Sequence, residues 1–450
     1  MAVEELIPTL ESPERITRSS STYNADARHL FLRETFSDPV TDPMFAPAIQ
    51  QFWNRPYFRR GWIVQEFLLA KDIVCLAGPD LFTRQDLVDM FSMPDTTLEA
   101  QEEMISYRIL IQLHLYMFTD AAPLRFLRLM SAVTAEFQTR EVVDRLFCCL
   151  GLMEGLDFTP DYTVSVQQNF TRFAVTLARD YGSLDFLSLW SANLDPLLPN
   201  TPTELLGFPS WVPSWTPTPL VTPWRLITGG VRSYRSDVSW NAAAGRKHVH
   251  DQLEDAVNTR QLQVRGKVVD YVEGVSSTRF MRYWDADEEH LKELVVQIKQ
   301  DLSGLEHWTP LELIRFLNVV TANGGIPENT PEQTYNFATE ESYKTSSFAA
   351  LRADSLDLGL GLTMGRGRRF ARTEKGDLGL VPAVGSQARS GKKRGSAVVV
   401  LHGCIVPLIL ESVDEAKSEW KVIGDCYIES IMLGEAVKWE EVNSETFILV

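Results

Sequence analysis

The sequence predicts an α+β chain of 450 residues, with a helical middle region and a β-rich C-terminal domain that carries a helical insertion. Three observations predict it. Apolar residues recur at helical spacing from about residue 84 to 190. Prolines then crowd together at positions 196, 199, 202, 209, 213, 217, 219 and 223. Beyond them the apolar period shortens to that of strands.

Taken in order, residues 1–40 are polar and weakly patterned, so a flexible lead-in is expected. Within 41–90, residues 43–54 read as a short helix ending near Asn54-Arg55-Pro56. Trp62 to Leu69 continues helically, with Ile63, Phe67 and Ala70 at helical spacing. Asp72 to Ala77 reads as a short buried strand stopped by Gly78-Pro79-Asp80. Residues 91–195 form the helical region, whose apolar stripes are Met104, Ile105, Ile109, Leu113 and Tyr116, then Leu124, Leu127 and Met130, then Val142, Val143, Leu146, Phe147 and Leu150. Its best helix runs from about Val164 to Tyr181, with apolar positions Val166, Phe170, Phe173, Leu177 and Tyr181 and with Gly182 just past its end. Residues 196–225 are expected to be an extended connector, because so many residues without a backbone donor do not fit a helix interior. In it, Trp211 and Trp215 look like wedges that pin the connector onto a domain.

Residues 226–450 are read as the β-rich domain, with a helical insertion over 286–345. Its strand patterns are Gln261–Gly274, Ser396–Leu401, Pro407–Leu410 and Trp420–Ile428. Between 361 and 400, nine basic residues (Arg366, Arg368, Arg369, Arg372, Lys375, Arg389, Lys392, Lys393, Arg394) face two acidic ones (Glu374, Asp377). A solvated pair of loops is the favoured reading of this run, and a site for an anion or an acidic partner is the other.

Charge and composition exclude several function classes. A hydrophobic share of 44% supports a sizeable core, and a net charge of −17 argues against general binding to nucleic acid or to anionic membrane. No stretch is apolar enough to be read as a membrane span, and the N-terminus lacks the basic and apolar pattern of a secretory signal, so a cytoplasmic protein is expected. The cysteines Cys75, Cys148, Cys149, Cys404 and Cys426 lie in apolar runs without CxxC spacing, and are expected to be reduced, buried thiols. Asn169-Phe170-Thr171 is a glycosylation sequon by pattern only, since it falls inside a helix. His248-Val249-His250-Asp251 lacks a third ligand nearby, so a solvated loop or strand is favoured over a metal site. The motifs of serine hydrolases, phosphate-binding loops, dinucleotide folds and zinc proteases are missing. No cofactor and no metal is expected.

The densest local signal is Phe52 to Phe67, FWNRPYFRRGWIVQEF, where aromatics and arginines alternate too closely for one apolar stripe. Arg59, Arg60, Trp62, Gln65 and Glu66 are its candidate functional cluster. Two readings stay open. The favoured one is a charge–aromatic clasp, with Glu66 paired to Arg59, Arg60 or another arginine. The other is a nucleotide-facing cluster, with Trp62 stacking a base and an arginine holding phosphate. Catalytic residues are not assignable.

Five separated blocks resemble the fungal heterokaryon-incompatibility (HET) domain family. They are Arg55 to Glu66, like a "PWF-R-VW-QE" pattern; Thr139 to Leu152, similar to "DPRDRVYALLGL" and followed by Pro160-Asp161-Tyr162; Phe208 to Trp215, like "LPSWVPDW"; Gly376 to Pro382; and Gly424 to Ile428 with Ile431 to Ala436, like "GECYVHGIMDGEA". The departures are the absence of the family's opening "SYVWG" and "DALCINQ" blocks, and Glu141 and Val142 in place of Pro and Arg. The resemblance implies an N-terminally truncated or degenerate member, with residues 41–90 as a residual, incomplete α/β (TIR-like) HET segment. It also implies a role in non-self recognition and programmed cell death through protein partners, without catalysis. The alternative it leaves is an accessory protein or cryptic enzyme of a fungal secondary-metabolite pathway.

Overall fold

The computed structural model describes residues 51–52, 55–77, 80–91, 137–189, 207–213, 240–248, 253–279, 368–382, 396–438 and 443–450, together with 110, 113–114, 125–126, 129–130, 133, 215, 297, 300–301 and 319. The flexible lead-in over 1–40, the helix over 43–54 apart from residues 51–52, and nearly all of the 286–345 insertion lie outside the described residues. The chain forms two compact units, one of residues 1–121 and 128–154, the other of 122–127 and 155–450.

In the first unit a 3-10 turn, Pro56–Arg59, leads into helix α1, Ile63–Leu69. Pro56 suits the first turn, where no backbone donor is needed. Helix α1 buries Ile63, Val64, Phe67 and Leu68 and leaves Glu66 exposed. Strands β1 (Val74–Ala77) and β2 (Asp80–Thr83) follow as an antiparallel hairpin. The expected buried strand is therefore a hairpin arm on the surface. Val74 is 61% and Leu76 72% exposed, and among the described residues their sheet has two strands. Helix α2, Arg84–Phe91, starts where Asp86 accepts from the Thr83 backbone and hydroxyl at 2.7 and 2.5 Å. The third apolar stripe forms a single turn, α3 (Asp144–Phe147), then a 3-10 turn, Leu150–Leu152, with Val143, Leu146 and Phe147 buried.

The second unit opens with α4, Val166–Tyr181, close to its expected bounds. Ser165 and Gln168 close a capping box at its start, and Gly182 ends it in the left-handed conformation at φ 60°. The sequon asparagine, Asn169, is fully buried and donates to the Asp161 carbonyl at 2.7 Å. The described part of the proline-rich region is packed, not extended into solvent. Trp211 donates from its indole to the Arg260 carbonyl at 3.2 Å, and Trp215 meets Phe126, Phe170 and Phe173 with centroids 5.8–6.2 Å apart. The wedge reading of both tryptophans holds.

After α5 (Leu253–Thr259), the chain builds an eight-stranded sheet from β3 (Leu262–Arg279), β4 (Arg368–Thr373), β5 (Leu378–Pro382), β6 (Ala397–Leu401), β7 (Leu408–Asp414), β8 (Glu419–Asp425), β9 (Tyr427–Ile428) and β10 (Glu445–Leu449). The order is β10-β8-β7-β6-β3-β4-β5-β9, and an added β10–β3 ladder closes β3, β6, β7, β8 and β10 into a ring. Closure leaves each of these five strands with a neighbour on both sides, which removes open edges from the ring. Strand β3 holds the ring together: its start pairs with β10, its middle with β6 and its end with β4. Val269, Val398, Val400, Ile409, Ile423 and Ile428 belong to its core.

The loop reading of the charged stretch 361–400 is corrected for Arg368, Arg369 and Arg372, which lie in β4. The described residues of the stretch are strand β4, a turn at 374–377, and strands β5 and β6, both wholly buried because their sequences, LGLVP and AVVVL, carry no charge. Arg366, Arg389, Lys392, Lys393 and Arg394 lie outside the described residues.

Candidate functional site

The five residues of the candidate cluster lie on the 3-10 turn, the bridge to Gln138 and helix α1. They hold local structure together. The backbone carbonyl of Arg59 accepts from Gln138 N at 2.6 Å, and Gly61 N donates to the Gln138 carbonyl at 2.8 Å, so Arg60 forms a parallel bridge with Gln138. Arg60 itself is exposed and Arg59 half-buried. Trp62, half-buried, stands at the N-cap of α1, and its carbonyl accepts from Glu66 N at 3.2 Å. Gln65 donates from its side-chain amide to the Phe147 carbonyl at 3.1 Å.

Glu66 accepts from the Tyr57 hydroxyl at 3.1 Å; the structure gives it a phenol partner where the sequence suggested an arginine. Partial burial and the Glu66 carboxylate together push the Tyr57 phenol above its usual value. Tyr57 also meets Phe58 edge-on at 5.4 Å, and Phe58 lies 5.2 Å from Phe52.

The first two motif blocks thus stitch together. A Cβ on Gly61 would come within 2.7 Å of Thr139 Cγ2 and 3.2 Å of Cys148 Sγ, so this contact requires glycine. Gly151 similarly lies against Gln65 and Leu69. Cys148 and Cys149 are buried with their sulfurs 3.8 Å apart, and burial pushes the Cys149 thiol well up. The described cysteines are unpaired thiols, all buried except half-buried Cys75.

The last three blocks meet in the barrel. Ser210 N donates to the Val450 carbonyl at 2.8 Å, and Ser210 Oγ accepts from Val422 N at 2.9 Å. Gly379 and Leu380 pair with Ile428 and Tyr427, and Ser430 Oγ donates to Asp377 at 2.6 Å. Asp425 forms an ion pair with Arg368 at 2.6 Å, both side chains fully buried. Arg372 pairs with Glu273 at 2.7 Å, and Lys375 donates to the Val269 carbonyl at 2.5 Å. Three residues of the basic run, Arg368, Arg369 and Arg372, are therefore strand residues, Lys375 lies in the turn after β4, and Arg368, Arg372 and Lys375 have named partners inside the barrel's own frame.

Two histidines went unread as a buried pair of rim residues. His248, expected in a solvated loop, is 5% exposed because Gly403 and Gly182 close over it. The rest of the His248–Asp251 motif lies outside the described residues, and no cluster able to hold a metal occurs among the described ones. His402 is 6% exposed, and its Nε2 lies 3.0 Å from Ser444 Oγ. Burial first, then the Arg246 and Arg265 charges, push its pKa down to about 4. Neither His402 nor Ser444 carries a local sequence signal, since they meet only when β6, β3 and β10 close the ring.

Among the described residues no helix is long and apolar enough to cross a membrane. The family model described as the Het-6 beta-barrel domain matches residues 336–450. This match is consistent with the heterokaryon-incompatibility resemblance carried by the motif blocks. No curated protein and no solved structure matches the chain.

Proposed function

Starting from a chain whose residues 336–450 match the Het-6 beta-barrel domain, we propose that it is a heterokaryon-incompatibility-type protein that acts in fungal non-self recognition and cell death by engaging a protein partner. The carrying observation is the barrel match, in the same chain as the ordered motif blocks. A non-catalytic role is supported by how the reactive-looking groups are used. Arg368 and Asp425 neutralise each other in the interior. Burial raises the Cys404 and Cys426 thiols well above the usual value, away from the thiolate that a nucleophile needs. Arg59, Arg60 and Gln65 contribute backbone and side-chain bonds to the clasp of the first unit.

The test is forced expression in a filamentous fungus, with hyphal growth and viability dye uptake as readouts. Arrest with dye uptake is the expected outcome, and normal growth at verified protein levels would sink the cell-death role. Titration calorimetry with NAD and related nucleotides separates the clasp from the nucleotide reading of Arg59 to Glu66. Absence of heat at millimolar ligand is expected of a clasp.

A further inference from the structure

Four separate segments of the second unit bring polar side chains together at one rim of the barrel. The turn after β6 supplies His402, whose backbone N donates to the Arg265 carbonyl of β3 at 2.8 Å. The next residue, Gly403, donates to the Arg246 carbonyl at 2.8 Å, which fastens the 240–248 segment on the other side. Just before β10, Ser444 places its Oγ 3.0 Å from His402 Nε2, and its carbonyl accepts from Arg265 Nη2 at 3.5 Å. Arg246 and Arg265 are exposed, Ser444 is half-buried, and His402 lies beneath them.

Among the described residues, the charged neighbours named at this rim are cationic or already matched. From β3 come Arg265 and Lys267, and Lys267 is paired to Glu445 of β10 at 2.7 Å. From the 240–248 segment comes Arg246, and its charge, with that of Arg265, reaches His402. Two guanidinium groups beside a buried imidazole repel its proton, and each leaves planar donors turned to solvent. In a chain of net charge −17, such a like-charge grouping is a local departure whose field favours an anion.

We propose that Arg246, Arg265, His402 and Ser444 form a binding site for a tetrahedral dianion of the phosphate class. The arginines supply bidentate donors. Ser444 supplies a hydroxyl, and His402 supplies the orientation of that hydroxyl. When the dianion arrives, it offsets the two arginine charges, and His402 takes up a proton. Its Nε2–H then donates to Ser444 Oγ, which turns the serine O–H toward the anion. Binding is therefore linked to proton uptake at His402 and strengthens as pH falls.

Sulfate is the probe, because it stays a dianion across the titration of imidazole. The full chain is titrated with sodium sulfate by calorimetry at about pH 8 and about pH 5.5, at constant ionic strength, with acetate as a monoanion comparison. In parallel the imidazole signal of His402, assigned through a His402→Gln variant, is followed by NMR across pH with and without sulfate. Saturable binding is expected, at least ~5-fold tighter at the lower pH. The double variant Arg246→Gln with Arg265→Gln should weaken it at least ~10-fold, while Lys417→Gln, exposed and remote in sequence, should leave it within ~2-fold. The His402 pKa should rise on saturation with sulfate. Equal weakening by Lys417→Gln, binding of acetate as tight as sulfate, no saturation, or an unmoved His402 titration would each overturn the proposal. The NMR arm uses the unaltered protein for its readout, so it stands even if the double variant fails to fold.

Discussion

Arg368 and Asp425 hold opposite charges 2.6 Å apart with no water contact on either side chain. Two ions lose solvation there, and their mutual attraction offsets that loss. Cutting one partner leaves the other stranded. Asp425→Asn and Arg368→Met are each expected to cost roughly 3–5 kcal/mol, read as a lower denaturation midpoint, while the paired change Arg368→Met with Asp425→Leu should recover most of it. Equal losses in single and double variants would show that packing, not charge pairing, sets the cost. His402 supplies the pH-dependent counterpart. Its folded pKa is about 4, and the unfolded imidazole titrates near ~6.5. Between those values the unfolded chain binds more protons, so stability is full above ~6.5, falls as pH drops toward 4, and loses nothing further from this group below that. Solvent at the rim screens the effect, so about 1–2 kcal/mol is expected, and His402→Asn should flatten the stability profile in that window. Asp425 was visible in a motif and Arg368 in a basic run, but their pairing was not, because 57 positions separate them and β4 alternates unseen within the run.

At the level of elements, legibility tracked how local the determinants are. Helix α4 was read nearly to the residue because its cap, its stripe and its terminal Gly182 are all contiguous. Removing the Ser165 cap, as Ser165→Ala, should cost about 1 kcal/mol in thermal or chemical unfolding. Strands β4, β5 and β10 were missed as strands because each is short: β4 is masked by the charge of its run although β5 beside it is its partner, with Phe370 opposite Leu380, and β10 pairs with distant β3, with Thr446 opposite Arg265. The hairpin of β1 and β2 was half-read. Val74 and Leu76 look like core by composition, and nothing local says that only one further strand pairs with them. Gly379 shows what the register of β5 against β9 demands. A Cβ there would run into the Tyr427 carbonyl and Ile428 Cδ1, and a backbone carbonyl held in the β5–β9 ladder has little room to yield. Gly379→Ala is therefore expected to cost about 1–3 kcal/mol, and Gly376→Ala, at φ 89° in the open turn before β5, about 1 kcal/mol through backbone strain alone. An order reversed between the two variants would put the strain of the turn above the crowding of the ladder.

For the whole molecule, the decisive relation is between the matched span and the ring it helps to close. Residues 336–450 contain β4 to β10, but the longest strand, β3 at 262–279, lies ahead of that span. Strand β3 pairs with β10 over Leu262–Gly266, with β6 over Gly266–Tyr271 and with β4 over Val272–Arg279. Without it, three ladders lose a side, β6 and β10 become open edges, and the apolar faces of Val398, Val400 and Phe447 lose their cover. A polypeptide of residues 155–450 keeps every barrel strand, and also Trp211 and Trp215, though it gives up Phe126 from the Trp215 contact. It is expected to unfold cooperatively in guanidinium and to keep its near-ultraviolet dichroism. Residues 336–450 alone are expected to lack a cooperative transition and to aggregate at micromolar concentration. Restoring β3 by starting the polypeptide at residue 253 should recover strand dichroism in part, with full stability returning only when the packed 207–215 segment is included, since Ser210 bonds both Val422 and Val450. A cooperative fold from 336–450 by itself would mean that the ring closes without β3, and the topology derived from these ladders would have to be abandoned.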